Sequence, residues 1–132
     1  GRAMVSILVV DDSPTMRRII VSQLNKAGYP DVGEAEDGVH GMEELAEGGY
    51  DLVLTDWNMP NMDGLEFIRT IRSREEYKDM PILVVTTRNS KMDVIKAMKE
   101  GANNFVVKPF GPSALSDKIE KVLKAMGQEV GA

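Results

Sequence analysis

The chain has no cysteine and only one histidine among its 132 residues. Without cysteine there are no disulfides and no thiolate metal sites. His40 alone cannot build a histidine-rich metal centre. No apolar run approaches the roughly 20 residues a membrane helix needs, and no secretory signal pattern is visible. No membrane role is therefore expected. Basic residues are also short: 16 Lys and Arg face 21 Asp and Glu, a formal charge of −5. A nucleic-acid surface normally needs a basic stripe, so none is expected. These absences leave a cytoplasmic monomer as the expectation.

What is present suits a compact domain. The composition is 42% apolar and 28% charged, as in ordinary globular proteins. A chain this long can bury a core without staples. Gly1-Arg2-Ala3 reads as a cloning remnant before a native start at Met4. The expectation is one domain over 4–126 and a short tail at 127–132.

Short apolar runs alternate with segments of helical period. Val5 to Val10 reads as a buried strand that stops at Asp11-Asp12. Ser13-Pro14 supplies an N-cap and a first-turn proline, and Met16, Ile19, Ile20 and Leu24 share one helix face up to Gly28. Val32 to Ala35 is a weak second strand. Val39, Met42, Leu45 and Ala46 mark a helix closed by Gly48-Gly49. Leu52 to Thr55 is a third strand ending at Asp56, followed by a loop with Pro60 and the turn pair Asp63-Gly64. Leu65, Ile68 and Ile71 give the third helix. Ile82 to Val85 is the fourth strand, ending at Thr86-Thr87. Ser90 and Asp93 form a capping box before Val94, Ile95 and Met98. Phe105 to Val107 is the fifth strand, ending at Lys108-Pro109, and Leu115 to Met126 carries the last helix.

Consecutive βα units predict an α/β fold: a five-stranded parallel sheet with helices on both faces. Alternation does not dictate the strand order. The order 2-1-3-4-5 is a known flavodoxin-like, doubly wound solution that places ligands beyond the carboxyl ends of the strands.

In that fold the strand ends share one edge. Asp11, Asp12 and Asp56 would crowd a small cleft with Thr86 and Lys108 beside them. Crowded carboxylates repel and need compensation. A divalent cation and the Lys108 ammonium are the two available sources. An all-oxygen site open to water suits Mg²⁺. Asp56 could then attack phosphorus as a nucleophile, with Lys108 and Thr86 stabilising charge on the transferred group. Taken singly, each residue has an ordinary reading. Asp-Asp is a cap or turn, Thr86 a strand residue and Lys108 a solvated lysine. Trp57 is expected to be a partly exposed loop aromatic, Asp63 a turn or cap residue and His40 an exposed helix residue. The joint pattern across four strand ends is what points to phosphoryl chemistry.

Val9-Val10-Asp11-Asp12-Ser13, Asp56 to Gly64, Val85-Thr86 and Val107-Lys108-Pro109-Phe110 together resemble response-regulator receiver domains. The stretches Asp56 to Gly64 and Thr15 to Arg18 are most similar to the CheY-like receivers of chemotaxis. The resemblance covers about Met4 to Met126. It implies that Asp56 accepts the phosphoryl group from a sensor histidine kinase. It implies that Asp12, Asp56 and the Asn58 backbone carbonyl bind Mg²⁺, with Asp11 acting largely through water. Thr86 and Phe105 take the positions of the switch pair, and Lys108-Pro109 that of a cis peptide. Lys91, Phe105 and Lys118 match positions used for partner contact.

Three departures stand out. Phe105 replaces a frequent tyrosine, Thr87 is bulkier than a frequent alanine and is expected to narrow access to Asp56, and Arg88 stands where an acid is found. With Asn58, Arg88 flanks the route of hydrolytic water. The implied function is a phosphorylation-switched regulator, not an enzyme beyond its own phosphorylation and dephosphorylation, acting on a downstream protein such as the flagellar motor switch. The chain stops soon after its last helix, so output is expected to go through a separate partner. The alternative is a phosphorelay intermediate that passes the group to another histidine protein. An aspartyl-phosphate phosphatase would want D-x-D-x-T after the first strand. A flavodoxin-like cofactor binder would want a Ser/Thr/Gly-rich loop there. This chain has Asp11-Asp12-Ser13-Pro14.

Overall fold

The structure is a computed structural model and describes residues 5–125 and 127. Met126, expected on the last helix, and the terminal segments 1–4 and 128–132 lie outside the described residues. The elements run β1 (Ile7–Val10), α1 (Pro14–Lys26), β2 (Val32–Ala35), α2 (Gly38–Glu47), β3 (Leu52–Asp56), α3 (Gly64–Ser73), β4 (Ile82–Thr86), α4 (Lys91–Glu100), β5 (Asn104–Val107) and α5 (Pro112–Ala125). A 3₁₀ turn at Glu75–Tyr77 joins α3 to β4.

All strand pairings are parallel and the order is β2-β1-β3-β4-β5. Val10 stands beside Thr55, and Thr86 beside Val107. The last residues of β1, β3, β4 and β5 are therefore brought to one edge.

Period-two alternation divides each strand between two cores. Ile7 and Val9 face α1 and α5, packing with Ile20, Leu24, Leu115 and Ile119. Leu8 and Val10 face the opposite layer with Leu45, Phe67, Ile68 and Ile71. Each such buried aliphatic contributes roughly 1.5–3 kcal/mol by leaving water. This is why β1 has no polar residue: all four of its side chains are buried on one face or the other.

The caps follow the sequence signals. Ser13 accepts from the Met16 N–H at 3.1 Å, Asp63 from Glu66 N–H at 2.9 Å and Ser90 from Asp93 N–H at 3.1 Å. The helix faces depart from expectation more than their ends do. Ile19, Val39, Ile95 and Met98 are exposed at 40–46%, and Met92 at 75%. Ala46 is exposed as well. On α4 only Ala97 is buried. A short helix at the sheet's flank needs only a narrow stripe toward the core, and the small Ala97 allows the close approach. His40 is half-buried: its Nδ1 accepts from the Glu36 N–H at 3.3 Å.

Candidate functional site

The site grows from strand ends that stop at acids. Asp11 follows β1 and is 1% exposed. Its backbone N–H still bonds β2, donating to the Ala35 carbonyl at 3.1 Å. Its side chain accepts from the Ser13 N–H at 2.9 Å, which ties the acid to the cap of α1. The Arg17 guanidinium, from the first turn of α1, donates to the Asp11 carbonyl. The next residue, Asp12, is exposed.

Asp56 closes β3, with a side chain 14% exposed. One oxygen accepts from the Trp57 N–H at 2.7 Å. Ligand atoms of Asp11, Asp12 and Asp56 lie within 4.8 Å of one another. Lys108 follows β5, and its Nζ lies 3.5 Å from Asp11 Oδ2 and 3.5 Å from Asp56 Oδ1. Those distances exceed the 2.7–2.9 Å of a tight charge-assisted hydrogen bond. The ammonium stands between two carboxylates without closing onto either. Lys108 is held by its backbone, whose N–H donates to the Thr86 carbonyl at 2.8 Å, and the Lys108-Pro109 peptide is cis.

The electrostatics follow from this crowding. Burial, then the negative charge of Asp11, raises the Asp56 pKa above the ordinary carboxylate value. The Lys108 ammonium and the Trp57 N–H oppose that rise. Three carboxylates with one exposed member form an all-oxygen donor set open to water. That set fits a hard divalent cation such as Mg²⁺, which keeps several waters.

Thr86 is buried at the end of β4, and its hydroxyl accepts from the Arg88 N–H at 2.9 Å. The Arg88 side chain spans the mouth of the site. It donates to Asn58 Oδ1 at 3.2 Å, stands 4.8 Å over the Trp57 ring and lies 3.7 Å from Asp93. Asn58 itself is exposed. Trp57 is not the partly exposed aromatic expected of a loop. It is 6% exposed, because it packs into the core between α3 and the sheet and carries Arg88 on its outer face. Thr87 is exposed and lines a groove of about 320 Å³ with Met16, Ile19, Lys108 and Phe110.

On the far side of Thr86, Phe105 is half-buried and the Lys118 Nζ stands 5.0 Å over its ring. Lys91 is exposed at the start of α4.

Several supporting residues were not singled out from the sequence. Gly64 is required because a Cβ there would stand 2.4 Å from the Asp56 carbonyl oxygen. The turn pair Asp63-Gly64 signals a turn but not that contact. Arg72 donates to the carbonyls of Gly101 and Tyr77 and to Asn103 Oδ1, joining α3 to the start of β5. No local pattern marks it, since Gly101 and Asn103 lie about 30 residues away in the chain.

A family profile described as the response regulator receiver domain matches residues 7–120. The chemotaxis protein CheY1 of Helicobacter pylori is 50% identical over 118 residues, covering 89% of this chain and 95% of the relative. A chemotaxis protein CheY homolog of Campylobacter jejuni is also 50% identical over 118 residues, covering 89% and 91%. Among solved structures, the chemotaxis protein CheY4 of Vibrio cholerae superposes with a TM-score of 0.85 at 36% identity, over 92% of this chain and 100% of that one.

Proposed function

The chain belongs to the response regulator receiver domain family, of the CheY-like kind, and on that footing we propose that it is a phosphorylation-activated regulator of chemotaxis. It is a signalling switch and not a conventional enzyme. The receiver domain spans 4–126 in this reading. The observation that carries the proposal is the meeting of Asp11, Asp12 and Asp56 within 4.8 Å, with Lys108 3.5 Å from two of them.

Asp56 is the phosphoacceptor. One of its carboxylate oxygens attacks phosphorus of the donor, a phosphohistidine on a sensor kinase. The phosphorus–nitrogen bond breaks in the same step, and its electron pair leaves on the imidazole. Only ionised Asp56 can attack, and the Lys108 ammonium favours that form, opposing the rise that burial and Asp11 impose. A bound Mg²⁺ would neutralise charge on the phosphoryl oxygens, held by Asp12, Asp56 and the Asn58 carbonyl, with Asp11 reaching it through water. The Lys108 ammonium shares that load, and its spacing from the carboxylates leaves it able to donate to a new anion.

The product adds roughly −1.5 to −2 charge and three acceptor oxygens beside Thr86. The Thr86 hydroxyl turns toward them and releases the Arg88 N–H. The space it leaves admits Phe105, and Lys118 loses its stack on that ring. The surface made by Lys91, Phe105 and Lys118 then changes shape for a partner, such as the flagellar motor switch. The exposed Met92, Ile95 and Met98 on α4 add apolar area to that surface. No helix among the described residues is long and apolar enough to cross a membrane; the place of action proposed with this function is the cytoplasm.

The test is phosphorylation by a histidine kinase with Mg²⁺, followed by binding to a motor-switch protein with and without beryllofluoride. Label on the Asp56 peptide and tighter binding in the activated form are expected. Efficient passage of the label to a histidine phosphotransfer protein, with no effect on motor binding, would replace this reading with a relay.

A further inference from the structure

Asp37 is a buried acid outside the cluster at the strand ends, 6% exposed, in the connection from β2 to α2. Its carboxylate has two separate tasks. One oxygen caps α2, accepting from the His40 N–H at 2.8 Å. The other accepts from the Asn61 side-chain amide at 2.8 Å. Asn61 belongs to the loop after Asp56, three residues beyond Asn58.

Capping alone does not explain this arrangement. Ser13 and Ser90 cap α1 and α4 with a single neutral oxygen. A buried charge is retained at α2, where a hydroxyl would cap as well. The second oxygen reaches across to another loop. That loop is shaped to meet it: Asn61 has φ 67°, a left-handed conformation that asparagine tolerates better than most side chains. Beside it, Met62 packs so closely on Gly38 that a Cβ there would stand 2.7 Å away. The loop is thus pinned to the start of α2 at two adjacent residues. At its other end it is pinned by the Gly64 N–H, which donates to the Trp57 carbonyl at 2.7 Å. Asn58 lies between these anchors.

We infer that Asp37, acting through Asn61, is a positioning residue for the cation site: it fixes the loop that carries the Asn58 carbonyl beside Asp56. The inference rests on the reading of that carbonyl as a Mg²⁺ ligand. The donated hydrogen bonds also hold the Asp37 carboxyl below the ordinary carboxylate range, so its charge persists at neutral pH.

The experiment is a Mg²⁺ titration of the full chain, read by Trp57 fluorescence and by calorimetry, on four proteins. These are the wild type, Asp37→Ser, Asn61→Gly and the exchanged pair Asp37→Asn/Asn61→Asp. Serine caps as well as aspartate, so Asp37→Ser keeps α2 while removing the oxygen that accepts from Asn61. Asn61→Gly removes the side chain and keeps the left-handed backbone. The exchanged pair restores one hydrogen bond with its direction reversed. Losing a partner that orients a metal ligand typically weakens affinity 10–100-fold. Each single variant is expected to raise the Mg²⁺ dissociation constant about tenfold, and the exchanged pair to recover most of that loss. Urea midpoints in EDTA check that all four are folded. Unchanged affinity in both single variants overturns the inference. So does a loss in Asp37→Ser alone, which would place the effect in α2, or an exchanged pair no better than the single variants. A wild type that does not bind Mg²⁺ removes the site reading itself, and is a distinct result.

Discussion

Replacing Lys108 with methionine keeps the aliphatic stem and deletes the charge. The Nζ lies 3.5 Å from an oxygen of Asp11 and from one of Asp56, and the three side chains are 15%, 2% and 14% exposed. At an effective dielectric near 20, each pair is worth about 5 kcal/mol of gross attraction. Most of that is offset by the cost of desolvating the three ions. Stranding buried charge by removing one partner costs about 3–5 kcal/mol, and the open edge of this site lowers the figure to about 2–4 kcal/mol. The metal-free variant is expected to lose that much stability at neutral pH. Mg²⁺ should act the other way. The ammonium repels a cation placed among the same acids, so its removal should tighten Mg²⁺ binding, by about tenfold for each 1.4 kcal/mol of repulsion relieved. Urea unfolding in EDTA and in saturating Mg²⁺, followed by Trp57 fluorescence, measures both effects. The variant should be clearly weaker than wild type in EDTA and close to it in Mg²⁺. Equal stability in EDTA, or weaker Mg²⁺ binding, would refute the claim that Lys108 balances these carboxylates.

Three further outcomes are expected. Asp56→Asn should abolish labelling by acetyl phosphate and also stabilise the metal-free protein. Because the folded-state pKa of Asp56 is raised, its ionisation costs stability as pH climbs past the unfolded value of 3.8 and through the raised one. The gain from Asp56→Asn should therefore grow as pH rises from 3.8 through the raised folded-state value and vanish below 3.8, as urea midpoints across that range will show. Gly64→Ala would set a Cβ 2.4 Å from the Asp56 carbonyl oxygen and 2.8 Å from the Trp57 Cα. It should cost about 1–3 kcal/mol and slow acetyl-phosphate labelling, since backbone atoms must shift at Asp56; an unchanged labelling rate would count against that geometry. Arg72→Met abandons the carbonyls of Gly101 and Tyr77 and the Asn103 side chain. It should lower the unfolding free energy by about 2–4 kcal/mol while leaving Mg²⁺ affinity unchanged.

The layered fold was readable because strand and helix carry different periods. Ile7 to Val10 is continuously apolar, as only a strand covered on both faces can be, and Asp11 ends it. Strand order was not readable from residues. It is the arrangement already known for chemotaxis-type receivers, and the pairings of β1 with both β2 and β3 bear it out. The acids and Lys108 were legible because a parallel sheet delivers strand ends to one edge. Trp57 misled because loop position suggests exposure, whereas its ring turns back into the core. The apolar side chains of α4 misled in the other direction. Period alone cannot tell a face that meets the core from one left to solvent, and here Ala97 takes the inner position. The link between Asp37 and Asn61 spans 24 residues and leaves no local trace.

The most direct test of the account is a crystal structure with Mg²⁺ and beryllofluoride. The account predicts a fluoride cage on an Asp56 oxygen, the ion against Asp12, Asp56 and the Asn58 carbonyl, Lys108 on a fluorine and the Thr86 hydroxyl turned inward. A cage on another carboxylate, or a site that holds neither group at saturating concentrations, would contradict it.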